Sequence, residues 1–316
     1  VSLARPRFSV IVPTFRRPAE LARCLEALAR LDYPRDGFEV VVVDDGSGAP
    51  PEDAVERVRG RLQATLVAQE RNRGPASARN AGAARAGGEF LAFTDDDCAP
   101  AADWLRAVEA CLVRDPETLV GGLTVNGLTD NPYAAASQLL VDYLYSYYHR
   151  EQADSSESDA REPATRFFTS NNLAMSAAAF HETGAFDAAF PFAAAEDRDF
   201  CDRWRQRGRG MRYVPEAVVY HFHDLSLRSF WRQHAHYGRG ALSFHTLRAR
   251  RSQGRLALEP PSFYVNLLRY PFSRPSQSLP MRSRMALLLA VSQGAYAAGF
   301  LSAHLQRAYR HRPFAG

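Results

Sequence analysis

Short apolar runs separated by helical periodicity set the rhythm of the first hundred residues. Phe8-Ser-Val-Ile-Val12 is rich in β-branched residues, ends at Pro13, and predicts a buried strand. Pro18 then opens a helical pattern carried by Leu21, Leu25 and Leu28, with the proline at a first-turn position. Phe38–Val43 is a second buried run, stopped by Asp44-Asp45-Gly46-Ser47. Leu62–Ala68 reads as a third strand, Pro75–Ala86 as an alanine-rich helix, and Glu89–Phe93 as a fourth strand that runs into Thr94-Asp95-Asp96-Asp97. Strands alternating with helices of this length predict an α/β fold of right-handed βαβ units, with a mostly parallel central sheet and flanking helices. In such sheets ligands bind outside the carboxyl ends of the strands. Three polar clusters fall at such ends: Pro13-Thr14-Phe15-Arg16-Arg17, Asp44–Ser47 and Asp95–Asp97. They are therefore expected to converge. No GxGxxG follows the first strand, which removes the main support for a dinucleotide-binding reading.

The second half is less regular. Residues 133–150 predict a helix dense in tyrosine, and 152–165 a polar loop. Glu196–Gly208 reads as a helix, Tyr213–His223 as one or two short strands, and Leu227–Arg250 as a basic, aromatic helix. Residues 285–305 are apolar enough to invite three readings: docking on a membrane surface, packing on the domain or a second copy, or a span. Ser292, Gln293, Ser302 and His304 dilute the third. Arg282 and Arg284 before this stretch, and Arg307, Arg310 and Arg312 after it, suit an anionic lipid surface and point to peripheral contact through 281–312. The division expected is a domain over 1–225, with halves of about 1–100 and 101–225, followed by a helical extension over 226–316.

Composition narrows the class. At 316 residues and 46% hydrophobic the chain can bury a large core, which excludes disorder throughout. A net charge of +4 is too small to argue nucleic-acid binding, so no nucleic-acid partner is expected. Cys24, Cys98, Cys111 and Cys201 form no CxxC pair, and scattered single cysteines fit a reducing compartment. The first apolar run is too short for a signal peptide. A cytoplasmic location follows as the expectation, with the cytoplasmic face of the membrane as its variant.

Each polar cluster has a plain structural reading beside a chemical one. Three adjacent carboxylates at Asp95–Asp97 repel unless a cation or hydrogen bonds offset them, and a hard divalent ion holding a diphosphate is a natural partner; a solvated helix cap is the plain alternative. Asp44-Asp45 is an ordinary turn, unless one carboxylate accepts the imide N–H of a pyrimidine base beside Phe15. Gly74-Pro75 places a helix start near Arg79, a site that favours an anion. Glu196-Asp197 at a helix start suits a general base, while Asp199 and Arg203 have i,i+4 ion-pair spacing. His221 and His223 alternate, as on one strand face, and suit a metal or phosphate oxygens. Arg228 and Arg232 belong to the basic helix.

The order IVPTFRR, VVVDDGS, NRGPASARNAG, FTDDD, EDRDFCDRWRQRG, YHFH resembles the family 2 glycosyltransferases of the GT-A fold, over residues 7–240. The resemblance implies a Rossmann-like GT-A domain and an inverting, metal-dependent transfer of sugar from a UDP-, dTDP- or GDP-linked donor to a glycan or lipid-linked acceptor. It puts Pro13, Thr14, Phe15 and Arg17 around the nucleotide, with Asp45 or Asp44 on the base and Arg79 nearby. Asp95 and Asp97 become the outer members of a DxD-like motif, Asp95 near the ribose and Asp97 on Mg²⁺ or Mn²⁺, with Asp96 open to either role. Asp197 is the implied general base and Glu196 the runner-up. His221 or His223 completes the metal or diphosphate contacts, and Asn171, Asn172, Arg228 and Arg232 are candidates for acceptor or diphosphate contacts. The QxxRW signature of processive members is not evident, which implies one sugar per encounter. Two other readings stay open: a nucleotidyltransferase, which would want a glycine-rich loop after the first strand, and a non-catalytic nucleotide-sugar-binding module.

Overall fold

A computed structural model describes residues 7–153, 166–190, 194–252, 259–274 and 277–310. The chain divides into two compact units, the first of residues 1–127, 149–191 and 196–222, the second of 128–148, 192–195 and 223–316.

The first unit is built on eight strands: β1 (Phe8–Thr14), β2 (Phe38–Asp44), β3 (Ala64–Ala68), β4 (Phe90–Phe93), β5 (Cys98–Pro100), β6 (Leu119–Asn126), β7 (Leu173–Ser176) and β8 (Met211–His221). Helices α1 (Pro18–Leu28), α2 (Glu52–Glu56), α3 (Pro75–Arg85), α4 (Trp104–Leu112), α6 (Ala177–Thr183) and α7 (Glu196–Gln206) also belong to it. The sheet order is β3-β2-β1-β4-β7-β6-β8-β5. Parallel pairings join β3-β2-β1-β4 and β6-β8, while β7 and β5 run antiparallel to their neighbours. The predicted parallel βαβ rhythm is thus the left half of a mixed sheet. The antiparallel strands, Leu173–Ser176 and Cys98–Pro100, are short and lack the β-branched or aromatic residues that mark the others as apolar runs. The segment read as one or two strands is a single strand whose register against β6 jumps between Gly122 and Leu123.

Strand alternation explains the layers. Val10, Val12, Val40 and Val42 join one cluster with Leu21, Leu25 and Leu28 of α1 and with Trp104, Leu105 and Val108 of α4. The opposite face meets α3, where a Cβ on Gly82 would lie 2.5 Å from Ile11 and 3.0 Å from Val43, so the helix approaches as closely as it does because glycine stands there. Phe93, Phe180, Phe186 and Phe200 form a ring cluster with centroids 5.0–5.5 Å apart, holding α6 and α7 to β4. Thr14 and Asp44 are register partners at the carboxyl ends of β1 and β2, and Thr94 just past β4 donates to Ile11 O. The three polar clusters therefore do leave the sheet along one edge.

The second unit is helical: α5 (Pro132–Ala153, to Tyr148 in this unit), α8 (Leu227–Ser252), α9 (Pro261–Arg269) and α10 (Leu279–Arg310). Asn131 caps α5 through Oδ1, accepting from the amides of Tyr133 and Ala134. The tyrosines of α5 meet α9: Tyr143 packs on Phe263 and donates to its carbonyl at 2.7 Å, and Tyr147 sits edge-on to the same ring. Gly238 and Gly240, which look like breakers, lie inside α8 because backbone approaches them. A Cβ on Gly238 would strike the carbonyl of Tyr296 on α10, and one on Gly240 would strike Ala194. Residues 285–305 form the middle of α10, the one described helix long and apolar enough to cross a membrane.

Candidate active site

Backbone at the end of β1 aims the first cluster. Arg16 takes φ 56°, with its amide donating to Ser47 Oγ at 2.8 Å and its guanidinium 4.9 Å from the centroid of Phe15. The second cluster is tied down locally. Asp44 accepts from the amide of Ser47 at 3.0 Å and from its hydroxyl, while Asp45 accepts from the amides of Arg73 and Gly74 at 2.8 and 2.9 Å. Burial pushes the Asp45 carboxyl above its ordinary value against the pull of those two amides. Asp45 thus positions the loop that enters α3, and Gly46 at φ 75° lets that loop pass, since a Cβ there would collide with Arg71 and Asn72.

The three adjacent aspartates meet different sets of partners, with Asp96 and Asp97 sharing Arg17. Asp95 accepts from Arg79 Nη2 at 2.7 Å. Asp96, almost wholly buried, accepts from the Thr14 hydroxyl at 2.7 Å, with Arg17 3.4 Å from its other oxygen. Burial, then repulsion from Asp97, pushes the Asp96 carboxyl up to about 7. Asp97 meets Arg17 Nη1 at 3.0 Å through one oxygen and His221 Nε2 at 3.2 Å through the other. Burial pulls the His221 imidazole down, and Asp97 outweighs it, leaving the ring above its ordinary value.

Arg79 joins two clusters that are far apart in sequence. Its side chain is 3% exposed, and its second nitrogen donates to Glu196 Oε1 at 3.0 Å, so one guanidinium bridges the acidic turn after β4 and the first residue of α7. Burial lowers the guanidinium and the two carboxylates more than offset it, so it stays fully charged. Beside it, Asp197 accepts from the amide of Arg198 at 2.7 Å and from that of Ser170. Burial raises the Asp197 carboxyl above its ordinary value against the pull of those amides and of nearby arginines. Asp199 is occupied elsewhere: Arg203 Nε holds it at 2.8 Å and spends its remaining donors on the carbonyls of Thr183 and Ala185 at the end of α6.

Asn171 and Asn172 are buried in a 3₁₀ turn before β7. Asn172 donates to the carbonyls of Leu123 and Ala217 and accepts from the indole of Trp104, which gives it a scaffolding part. Asn171 accepts from Thr169 and Thr124 hydroxyls. β8 ends at His221, so His223 does not share its strand face; His223, Arg228 and Arg232 fall in the second unit, the two arginines exposed. The loop read over 152–165 lies outside the described residues from 154 onward.

A metal fits at Asp97. Its carboxylate, His221 and Cys98 present ligand atoms within 4.8 Å of one another. A carboxylate oxygen with an imidazole suits Mg²⁺ or Mn²⁺, whereas burial holds the Cys98 thiol far above its usual range and makes it a poor ligand. Cys98 was the unforeseen neighbour. Its only sequence signal is that it follows the triple aspartate directly, and the β5–β8 ladder pairs it with His221.

Comparison with known proteins is consistent with this geometry. The family described as Glycosyl transferase family 2 matches residues 9–184, and Glycosyl transferase family group 2 matches 145–306. A pre-mycofactocin glycosyltransferase of Mycobacterium tuberculosis is 28% identical over 74% of this chain and 46% of its own length. A validoxylamine A glucosyltransferase of Streptomyces hygroscopicus subsp. jinggangensis is 31% identical over 67% of this chain and 54% of its own. The chain spans about half the length of these curated relatives. Among solved structures, the mannosyltransferase PcManGT from Pyrobaculum calidifontis, in complex with GDP-Man and Mn²⁺, superposes with a TM-score of 0.63 at 22% identity over 98% of this chain and 88% of that one. TarS 1–349 of S. aureus gives 0.52 at 20% identity, over 98% and 93%. The fold is the mixed-sheet GT-A fold.

Proposed function

The chain belongs to glycosyl transferase family 2, and on that premise we propose that it moves one sugar, with inversion, from a UDP-, dTDP- or GDP-linked donor to a hydroxyl of a glycan or lipid-linked acceptor. The observation that carries the reading is the Arg79 bridge, which sets the acidic turn and the Glu196-Asp197 pair into one site. Thr14, Phe15 and Arg17 take the nucleotide side, with Pro13 behind them and Asp44 and Asp45 shaping the pocket for the base. Asp97 and His221 would hold Mg²⁺ or Mn²⁺, and that ion would offset charge on the leaving diphosphate.

Glu196 is committed to Arg79, which leaves Asp197 as the base. Its carboxylate takes the proton of the acceptor hydroxyl. The acceptor oxygen forms its bond to the anomeric carbon on the face opposite the nucleotide. The bond from that carbon to the phosphate oxygen breaks, and the electron pair leaves with the nucleoside diphosphate. Arg17 would then receive part of that charge, an electrostatic contribution of the kind that dominates many barriers. The site works at the cytoplasmic face of a membrane, with peripheral contact through 281–312.

Asp197→Asn keeps the shape and removes the base. Turnover should fall by about 10²–10⁴-fold while nucleotide affinity is unchanged. Undiminished turnover would take the base role away from Asp197.

A further inference from the structure

The net charge of +4 conceals a segregation. Residues 225–316 hold 14 arginines and a single acidic residue, Glu259, whereas residues 1–224 hold 25 arginines and 34 acidic residues. Glu259 is itself engaged, accepting from the Tyr148 hydroxyl at 2.9 Å. The positive charge is therefore concentrated: the second unit holds 14 arginines against four acidic residues, Asp130, Asp142, Asp224 and Glu259, with Asp142 paired to Arg274, and the same unit exposes apolar surface. On α10, Leu287, Leu301 and Leu305 are 65%, 59% and 63% exposed. Leu287 and Leu305 are separated by five whole turns, and Leu301 lies about 40° from their line. Between them the same face carries exposed Gly294 and Ala298, so the stripe is apolar for about 27 Å with no acidic group on it. Arg284, also exposed, lies about 60° from the line at its head.

We propose that α10 lies flat on an anionic lipid bilayer, its leucine stripe in the acyl boundary and the arginines of the second unit on the headgroups. The proposal rests on the membrane contact in the functional reading above and deepens it by naming the face that meets the lipid and the depth it reaches. A span is disfavoured by how α10 packs. It crosses α8 at Gly238 and Gly299, where backbone meets backbone, and α8 carries Arg228, Arg232, Arg239, Arg248, Arg250 and Arg251. Drawing α10 through the hydrocarbon would draw those arginines with it. An amphipathic helix with a cationic flank binds instead at the interface, by apolar insertion plus attraction to anionic lipid.

The test is flotation of the full chain with phosphatidylcholine vesicles, with and without phosphatidylglycerol. Binding should require phosphatidylglycerol and be released by salt. Arg284→Ser should weaken partitioning about fivefold, and Leu287→Gln with Leu301→Gln should abolish it. Equal recovery with both vesicles, no recovery with either, or release only by detergent would each overturn the proposal. So would a dimer in light scattering that the leucine changes dissociate, since the stripe would then be covered by a second copy. Titration of the leucine variant with GDP or UDP and Mn²⁺ separates the two readings. Wild-type nucleotide affinity verifies folding, and with vesicle binding absent in the wild type only the docking falls; absent nucleotide binding in the wild type counts against the transfer reading instead.

Discussion

Arg79 is the residue on which most of the site depends, because it satisfies a buried glutamate and the first aspartate of the turn at once. Removing one member of a buried ion pair leaves an uncompensated charge, so Arg79→Ala should cost about 3–5 kcal/mol, read as a lowered denaturation midpoint. Arg79→Lys keeps the charge but not the planar fork, and should recover only part of that loss. Arg17 has the opposite character. Its side chain is 47% exposed and its charge rests on Asp96 and Asp97, where a divalent ion must compete with it. Arg17→Ala should therefore tighten Mn²⁺ binding to the nucleotide-free protein about thirtyfold, the order of 2 kcal/mol expected between a unit and a divalent charge 4 Å apart in water. Mn²⁺ titration followed by electron paramagnetic resonance reads this directly. At Asp197 the raised carboxyl predicts the pH profile. The acid limb of kcat/KM should lie above the ordinary aspartate value of about 4, activity falling as pH drops through it. Stability has the opposite sense: a raised folded-state value favours the fold at low pH, and that contribution is lost as pH rises through it.

At the scale of elements, the helix pair α8–α10 depends on small residues. Gly299→Val would drive a side chain into the backbone at Ala235 and should cost about 1–3 kcal/mol by overpacking. Gly294→Ala, in open space on the same helix, should instead stabilise by up to about 1 kcal/mol; thermal melts of the two variants test the contrast. The same elements show what was legible beforehand. β1, β2 and β4 are bounded apolar runs with polar ends, so the edge on which Thr14, Asp44 and Asp95–Asp97 gather could be read from the chain. β5 and β7 could not, because Cys98–Pro100 and Leu173–Ser176 carry no β-branched or aromatic run of their own and are defined by partners far along the chain. For the same reason the reach of Arg79 to Glu196, 117 residues on, was not visible, although Arg79 and Glu196 were both singled out. The resemblance makes Asn172 a candidate for acceptor or diphosphate contact, and its contacts with Trp104, Leu123 and Ala217 assign it to the scaffold.

Over the whole molecule, acidic residues outnumber arginines in the sheet unit and arginines outnumber acidic residues in the helical unit. The four cysteines are free and buried, so native protein should resist alkylation, and all four thiols should react once it is unfolded. The central claim is that the aspartate turn holds a metal that binds a donor nucleotide. Calorimetric titration of UDP, GDP, dTDP and CDP, with and without Mn²⁺, into the wild-type chain and Asp97→Ala tests it most directly. The account predicts metal-dependent binding of one nucleotide, lost in the variant while its fold persists. Binding that ignores both the metal and Asp97, or no binding of any nucleotide by the folded wild type, would contradict it.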